Sequence, residues 1–279
     1  MSAAHRPMRT LALSAIAAIV TLSFVQAQQP APAKNDYQPT RGQIGKDVMW
    51  IPSPDALVDR MLDMAKVTPS DTLIDLGSGD GRFIIAAAKR GIKALGIEYN
   101  ADLVQLSKRN AEQAGVSANA SFVQGDIFQT DFSNATVLTM FLLDELNARL
   151  RPIILNMKPG TRVLSNTFDM GDWQPDNTIG TTQDCVTYCK AFYWVVPAKV
   201  QGTWQSPQAE ITLSQTFQML SGSVKTPSGT AQITDGRMSG TGIAFTAGGT
   251  AYTGTVNDNV MDVSAKSPSG ETRIQAKRG

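Results

Sequence analysis

The sequence predicts an α/β fold with a parallel sheet, followed by a small antiparallel β domain in the form of a barrel or a meander. The first prediction rests on residues 72–168, where short apolar segments alternate with segments of helical periodicity. The second rests on residues 202–279, where short alternating segments are separated by turn residues. A loosely ordered Gly/Ser-rich tail is the alternative, but recurrent aromatic and β-branched residues favour strands.

The first domain begins with a helix and then alternates strands with helices. Ser53 and Pro54 suit the cap and first turn of a helix, and the apolar residues within 57–64 recur at helical spacing. Five apolar segments without this spacing follow, with helical segments between most of them. The predicted strands are 72–76, 93–98, 120–124, 135–143 and 161–168, and the predicted helices are 83–90, 101–114 and 146–157, the last interrupted by Pro152.

The pattern changes after residue 168. Residues 178–182 and 191–196 resemble the two strands of a hairpin, and both cysteines lie in or beside its connection. Residues 28–45 are polar and rich in Pro and Gln, so we expect ordered structure to begin near Asp47. The predicted organisation is a linker at 28–45, an α/β domain at 46–201 and a β domain at 202–279.

The first 27 residues have the pattern of a secretory signal peptide. Arg6 and Arg9 precede an uncharged apolar run at 11–25, and Val25-Gln26-Ala27 offers small residues at a cleavage site. We therefore expect an exported protein, periplasmic or secreted, whose mature chain begins at Gln28. An uncleaved segment that anchors the protein to the inner membrane is the alternative, and only this segment is expected to contact a membrane.

Composition limits the chemistry of the mature chain. The only histidine of the 279 residues, His5, lies in the signal segment, so imidazole is excluded as base or ligand. Cys185 and Cys189 alone cannot form an ordinary zinc site, so we predict no metal. They can pair after export or remain free thiols. The formal net charge of +1 argues against nucleic acid as a partner.

A glycine loop lies between the first predicted strand and the next helix. Gly77, Gly79 and Gly81 stand in Asp75-Leu76-Gly77-Ser78-Gly79-Asp80-Gly81-Arg82, which allows a sharp turn and a close backbone approach to a ligand. A P-loop needs Lys and then Ser or Thr after its last glycine, and this chain has Arg82-Phe83. A dinucleotide loop places its third glycine one residue later.

Acidic residues at successive strand ends favour a cationic ligand with hydroxyl groups. Asp75 precedes the first glycine, where a carboxylate suits the sulfonium and ammonium of S-adenosylmethionine better than a pyrophosphate. Glu98 ends the second strand, placed to accept hydrogen bonds from ribose hydroxyls. Asp126 follows the third strand, placed to accept the adenine amino group. Taken alone, Asp126 is equally a turn residue or helix cap.

Residues 47–176 resemble the Rossmann-like class I methyltransferases related to the mitochondrial protein-lysine methyltransferases. The segments that carry the resemblance are WIPSP (50–54), DLGSGDGRFIIAAAKRG (75–91), GIEYN (96–100), GD (125–126), FLLDELN (141–147) and LRP (150–152). The resemblance implies S-adenosyl-L-methionine as the cofactor. It also implies a lysine side chain of a protein as one candidate for the methyl acceptor. The cofactor-binding residues implied are Asp75, Gly77, Ser78, Gly79, Asp80, Gly81, Glu98, Tyr99, Asp126 and Ile127.

The methyl acceptor is expected near the ends of the fourth and fifth strands. Asp144 lies there and is the candidate for a catalytic base, although it equally suits the start of a helix. Asn166, Asp169 and Trp173 follow the fifth strand. Three functions stay open: methylation of a protein side chain, methylation of a small molecule, and binding of the cofactor without turnover.

Overall fold

A computed structural model describes residues 1–2 and 37–279, and Tyr37–Gly279 form one compact unit. The predicted signal peptide and the first half of the predicted linker lie outside the described residues. Three β-structures lie in this unit: a two-stranded hairpin near residue 45, a seven-stranded sheet with helices on both faces and a closed barrel of eight strands. The predicted fold class is thereby confirmed, and the β domain is a barrel.

The α/β domain follows the predicted alternation closely. Its helices are α1 (Asp55–Met64), α2 (Arg82–Lys89), α3 (Ala101–Gln113) and α4 (Asp144–Ile154). Its strands are β1 (Gln43–Ile44), β2 (Met49–Trp50), β3 (Thr72–Leu76), β4 (Lys93–Glu98), β5 (Ala120–Gln124), β6 (Val137–Met140), β7 (Arg162–Asn166), β8 (Asn177–Gly180) and β9 (Lys190–Val195).

The large sheet has the strand order β5-β4-β3-β6-β7-β9-β8. The first five of these strands are parallel, whereas β9 runs antiparallel to β7 and pairs with β8 as the predicted hairpin. The chain builds outward from β3 through β4 to β5 and then crosses to β6 on the other side. A crevice at the carboxyl ends of the strands is expected at such a reversal, and it is here that ligands bind in open α/β sheets.

Alternating apolar residues give the sheet two buried faces. Leu73 and Val137 pack with α1, α2 and α3 on one face, while Ile74 and Leu138 pack with α4 on the other. Because strands inside a parallel sheet are covered on both faces, their sequences are nearly continuous apolar runs. This continuity made β3 and β4 predictable to the residue.

Two details differ from the prediction. Helix α4 continues past Pro152, which is exposed and lies in its last turn, so the lost hydrogen bond affects the solvent side only. Ordered structure also begins before Asp47, because β1 pairs with β2 in a short hairpin, residues 43–50, which we call the N-terminal hairpin. Two-residue strands are too short for a periodic signal, so the sequence assigns β1 to the linker that ends at residue 45 and predicts no strand at β2.

The barrel is formed by consecutive antiparallel strands that close between the first and the last. Its strands are β10 (Gly202–Gln205), β11 (Glu210–Thr216), β12 (Met219–Thr226), β13 (Gly229–Ser239), β14 (Gly242–Ala247), β15 (Thr250–Asn257), β16 (Val260–Ser267) and β17 (Gly270–Arg278). Closure pairs Trp204 with Arg278, so no edge strand is left open. The interior is filled by side chains that include Trp204, Ile211, Val224, Ile243, Phe245, Val263 and Ile274.

The barrel packs against the α/β domain through the segment before β8. Phe217, in the β11–β12 turn, stacks on Trp173 with ring centroids 6.2 Å apart. Arg237 of β13 forms an ion pair of 2.5 Å with Asp176, and Gln218 donates to the carbonyl of Gln174 at 2.7 Å. Among residues 1–2 and 37–279, no helix is long and apolar enough to cross a membrane.

Candidate active site

A cavity of about 340 Å³ opens at the carboxyl ends of the parallel strands. The N-terminal hairpin covers one side of it, and the glycine loop, the ends of β4 and β5 and the segment after β6 form the others. The predicted cofactor-binding residues that line it are Asp75, Gly77, Ser78, Gly79, Asp80, Glu98, Tyr99, Asp126 and Ile127. The sheet therefore brings residues from three separate strand ends to one cavity, as the sequence predicted.

The glycine loop turns sharply over the end of β4. The backbone amides of Gly77 and Ser78 both donate to the carbonyl of Ile97, at 2.9 and 3.1 Å. Gly79 has a φ of +55°, and a Cβ atom there would lie 2.9 Å from the indole nitrogen of Trp50. Glycine is therefore required at this position both for the left-handed backbone and for the contact with Trp50.

Contacts of Asp80 and Gly81 fix the second half of the glycine loop. The carboxylate of Asp80 accepts hydrogen bonds from Arg82 at 2.6 and 3.0 Å, and its carbonyl accepts from Asn110 at 2.9 Å. Gly81 is the left-handed cap of α2, and a Cβ atom there would lie 2.8 Å from the ring of Phe122. Gly81 is buried beneath Phe122 and is not among the residues that line the cavity, so its predicted part in cofactor binding stays a prediction.

Asp75 is the most deeply buried acid of the cavity. Its side chain is 5% exposed and accepts one hydrogen bond, from the hydroxyl of Thr139 at 2.7 Å. Burial raises the pKa of Asp75 to about 7, the carboxylates of Glu98 and Asp80 add to this effect, and the Thr139 hydrogen bond opposes it only in part. A cationic ligand would favour the ionised form, which the protein surroundings alone disfavour.

Glu98 joins the glycine loop to the next strand. Its two carboxylate oxygens accept the backbone amides of Gly79 and Asn100, each at 2.9 Å. Burial raises the pKa of Glu98, while these backbone hydrogen bonds oppose the change. Each oxygen keeps a further lone pair, so the carboxylate can still accept hydroxyl donors from a ligand.

Asp126 has a partner that the sequence did not predict. Lys46 of the N-terminal hairpin donates to its carboxylate at 2.8 Å, and the Lys46 ammonium lies 4.7 Å from the ring centroid of Tyr99. This hydrogen bond lowers the pKa of Asp126, and the amide of Phe128 bonds the second oxygen at 2.9 Å. The hairpin is thus tied to the side of the cavity where adenine is expected.

The segment WIPSP has a role in the site that sequence reasoning missed. Trp50, Ile51, Pro52 and Ser53 all line the cavity. The structure also corrects the predicted helix cap, since α1 begins at Asp55 and its cap receives no side-chain hydrogen bond. The Ser53 hydroxyl instead accepts a hydrogen bond from Asn166 at 2.9 Å. The two prolines and the tryptophan of WIPSP were the feature of the sequence that could have indicated this role.

Of the residues predicted near the methyl acceptor, the structure brings Asp144 and Asp169 together, whereas Trp173 lies apart from them in the core. Asp144 is exposed at the start of α4, accepts the backbone amide of Asp169 at 3.2 Å and lies outside the cavity lining. This geometry fits a helix start, and nothing in it supports the predicted role as base. Trp173 is fully buried and packs against Trp194, and Asn166 is buried beside Ser53.

Comparison with known proteins assigns the family. Residues 75–177 match the family of ANTKMT methyltransferase domains. A protein-lysine N-methyltransferase of Saccharolobus islandicus is 45% identical over 135 residues, which are 47% of this chain and 84% of that relative. The chain is a methyltransferase of this family.

Two further relatives agree with the assignment. The adenine nucleotide translocase lysine N-methyltransferase of Mus musculus is 32% identical to this chain. The match covers 46% of this chain and 57% of the mouse protein. An RNA methyltransferase from Salinibacter ruber, solved with S-adenosyl-L-homocysteine, is 44% identical with a TM-score of 0.50. That match covers 54% of this chain and 96% of the Salinibacter protein. The methyltransferase thus spans a little over half the length of the mouse relative.

S-adenosylmethionine is the cofactor of the methyltransferase, and the cavity residues fit it. Asp75 and Glu98 offer two largely buried carboxylates to a ligand with a sulfonium, an ammonium and ribose hydroxyls. Tyr99 and Ile127 flank Asp126 on the side where an adenine ring can lie. The assignment of each residue to one group of the cofactor stays a prediction.

Proposed function

We propose that the methyltransferase methylates a lysine side chain of a protein. The observation that carries the proposal is its similarity to the protein-lysine N-methyltransferase of Saccharolobus islandicus, which extends over 84% of that relative. The lysine methyltransferase of Mus musculus supports the same substrate class. The near-neutral composition gives no basic footprint for RNA, so RNA is the alternative substrate that an experiment has to include.

Methyl transfer depends mainly on how the protein positions the methyl donor and the acceptor, and it needs no covalent intermediate with a protein side chain. The cofactor supplies an activated methyl group on a sulfonium. When bound, it would supply that methyl group to a lysine nitrogen, and the electron pair of the broken carbon–sulfur bond would remain on sulfur. Correct alignment accounts for much of the rate in such a displacement. Asp75 and Glu98, which line the cavity, would bind the cofactor through its cationic and hydroxyl groups.

The acceptor nitrogen must be a free amine at the moment of transfer, because an ammonium has no lone pair. Phe141 and Leu142 form an apolar part of the cofactor cavity after β6. Desolvation of the nitrogen as it moves from an ammonium-binding position into this part of the cavity lowers its pKa and favours loss of the proton to solvent. A dedicated base is therefore not required, which agrees with the exposed position of Asp144.

The test is methyl transfer from labelled S-adenosylmethionine to an envelope extract by the full-length protein. We expect label in protein that is stable to RNase, and mass spectrometry of the digested protein should show methylated lysine. The Glu98→Ala variant is the negative control, and Glu112→Ala, on the exposed face of α3, is the matched positive control. Label confined to RNA or to small molecules would refute the proposal.

We also propose that the protein works outside the cytoplasm. The apolar run at residues 11–25 and the paired cysteines support export, since disulfides persist in oxidising compartments. Mass spectrometry of protein from the envelope fraction should find a mature terminus at Gln28. An intact terminus in membranes would support the anchored alternative, and an intact terminus in a soluble cytoplasmic pool would contradict export.

A further inference from the structure

Three aromatic rings from distant parts of the chain meet beside the cofactor cavity. Phe141 follows β6, Phe168 follows β7, and Tyr188 lies in the connection between β8 and β9. The rings of Phe141 and Tyr188 are 5.2 Å apart, edge to face, and those of Phe141 and Phe168 are 6.0 Å apart. The third pair, Phe168 and Tyr188, is separated by 6.5 Å. We call these three side chains the aromatic cluster.

The aromatic cluster lines a second cavity, of about 280 Å³. Nine of its twelve lining residues, among them Phe141, Leu142 and those of the N-terminal hairpin, also line the cofactor cavity, so the two are parts of one cleft. Only Leu143, Phe168 and Tyr188 belong to the second cavity alone. An apolar branch that adjoins the cofactor cavity offers a path for an acceptor side chain.

Tyr188 is held in this position by an unusual piece of backbone. It lies directly before Cys189, within the loop that the disulfide to Cys185 closes, and its φ is +61°. A tyrosine rarely adopts this left-handed conformation unless its surroundings impose it. Val186 in the same loop is 96% exposed, so the loop directs one aromatic side chain inward and leaves an apolar one in solvent.

Charged side chains lie at the edge of the second cavity. Asp47 is one of its lining residues. Asp144 and Asp169 are exposed and directly follow Leu143 and Phe168, which also line it. The one lysine in the lining, Lys46, has its ammonium bound to Asp126 at 2.8 Å. Arg41 lies beside the same loop, where its guanidinium donates to the Thr187 hydroxyl at 3.1 Å, so an approaching cation meets charges of both signs at the edge and aromatic side chains within.

We propose that the aromatic cluster is the binding subsite for the alkylammonium group of the acceptor, in both its unmethylated and its methylated forms. The inference rests on the proposed lysine specificity and adds the residues that recognise the side chain. Aromatic faces attract ammonium cations, and they also attract quaternary ammonium groups, which have no hydrogen to donate. A subsite of this kind can hold a lysine through successive methylations, because each product keeps its positive charge.

The experiment measures binding of a quaternary ammonium without any turnover. Full-length protein is saturated with S-adenosylhomocysteine, so that the carboxylates of the cofactor cavity are occupied. Choline is then titrated and followed by NMR, and the same titration is made with 3,3-dimethyl-1-butanol, its uncharged isostere. A cation–π subsite predicts affinity for choline about three- to thirtyfold above that of the alcohol.

Variants assign the binding to the aromatic cluster. Tyr188→Ala should weaken choline binding about three- to tenfold, whereas Tyr188→Phe, which keeps the ring, should change it less than about twofold. Val186→Ala, in the same loop, is the matched control and should bind like the unmodified protein. Phe168→Ala provides a second truncation that leaves the disulfide loop intact, and it should also weaken choline binding.

The outcomes separate this inference from the proposed function. Equal affinities for choline and the alcohol, or undiminished choline binding in both Tyr188→Ala and Phe168→Ala, would overturn the ammonium subsite. Lysine methylation that persists in that case would leave the proposed function intact. Conversely, specific choline binding by a protein that labels only RNA would overturn the lysine proposal and not the subsite.

Discussion

The buried surroundings of Asp75 disfavour the charged form of its carboxyl group. Its pKa of about 7, against an ordinary 3.8, means that the fold by itself stabilises the neutral carboxyl. Stability from this group is present below pH 4 and is lost as the pH rises through about 7. Affinity for a cationic cofactor should change in the opposite direction, because binding favours the ionised carboxylate.

Titration of S-adenosylmethionine by calorimetry between pH 5.5 and 8.5 tests this coupling. We expect the affinity of the unmodified protein to fall by up to about tenfold for each pH unit below 7. Asp75→Asn keeps an acceptor for Thr139 and removes the titration, so its weaker affinity should be nearly independent of pH. The same pH dependence in Asp75→Asn would show that another group controls binding.

Glu98 is the second residue whose charge is expected to act on the cofactor. A charged hydrogen bond contributes about 1.5–3 kcal/mol, so Glu98→Ala should weaken S-adenosylmethionine binding by about ten- to a hundredfold. Glu98→Gln keeps hydrogen-bonding atoms near the amides of Gly79 and Asn100 and isolates the effect of charge. Undiminished affinity in Glu98→Ala would contradict the ribose role.

The disulfide loop links an element of the fold to the acceptor subsite. Of the two alternatives that the sequence leaves open, the structure shows the disulfide, with Cys185 bonded to Cys189 at a Cα–Cα distance of 5.8 Å. A loop this short should contribute about 2 kcal/mol through the unfolded chain. The double variant C185S/C189S should therefore unfold at lower denaturant concentration and bind choline less tightly, since Tyr188 loses its constraint.

Cofactor binding distinguishes a local effect from a global one. The affinity of C185S/C189S for S-adenosylmethionine should equal that of the unmodified protein, because neither cysteine lines the cofactor cavity. Equal loss of choline and cofactor affinity would show that the loop supports the whole site. Reduction of the unmodified protein with dithiothreitol should reproduce the behaviour of the double variant.

At the same scale, predictability followed the strength of the local pattern. Strands β3 and β4 were predicted to the residue because they are buried, largely apolar segments of the parallel sheet. Strand β5 is an exposed edge strand, and its bounds were predicted because Gly125 and Asp126 follow it directly. The N-terminal hairpin was missed because its strands have two residues each. Its contacts with Asp126 and Gly79 arise from tertiary packing, which no periodic pattern records.

For the whole molecule, the sequence predicted two domains without indicating that they share a buried contact. Phe217 is the main link, lying between Trp173 at 6.2 Å and the guanidinium of Arg151 at 5.4 Å. The sequence predicts a strand segment at Phe217 rather than a turn, and its partners lie more than 40 residues earlier. Contacts at such separation follow from topology, so the sequence alone could not assign them.

This contact predicts that the barrel and the α/β domain unfold together. Phe217→Ala removes a ring from the interface and should lower the free energy of unfolding by about 2–4 kcal/mol. Val260→Ala, on the barrel surface, is the control and should change it by less than about 1 kcal/mol. Cofactor affinity at 25 °C should be unchanged in both variants, because the interface is separate from the cavity.

Denaturant unfolding followed by tryptophan fluorescence and by far-UV circular dichroism makes the measurement. Trp204 lies in the barrel, whereas Trp173 and Trp194 lie in the α/β core, so fluorescence reports on both. Coincident transitions at a lower midpoint in Phe217→Ala would establish a single cooperative unit. Two separate transitions already present in the unmodified protein would show instead that the barrel folds independently and that Phe217 contributes little to the stability of the methyltransferase domain.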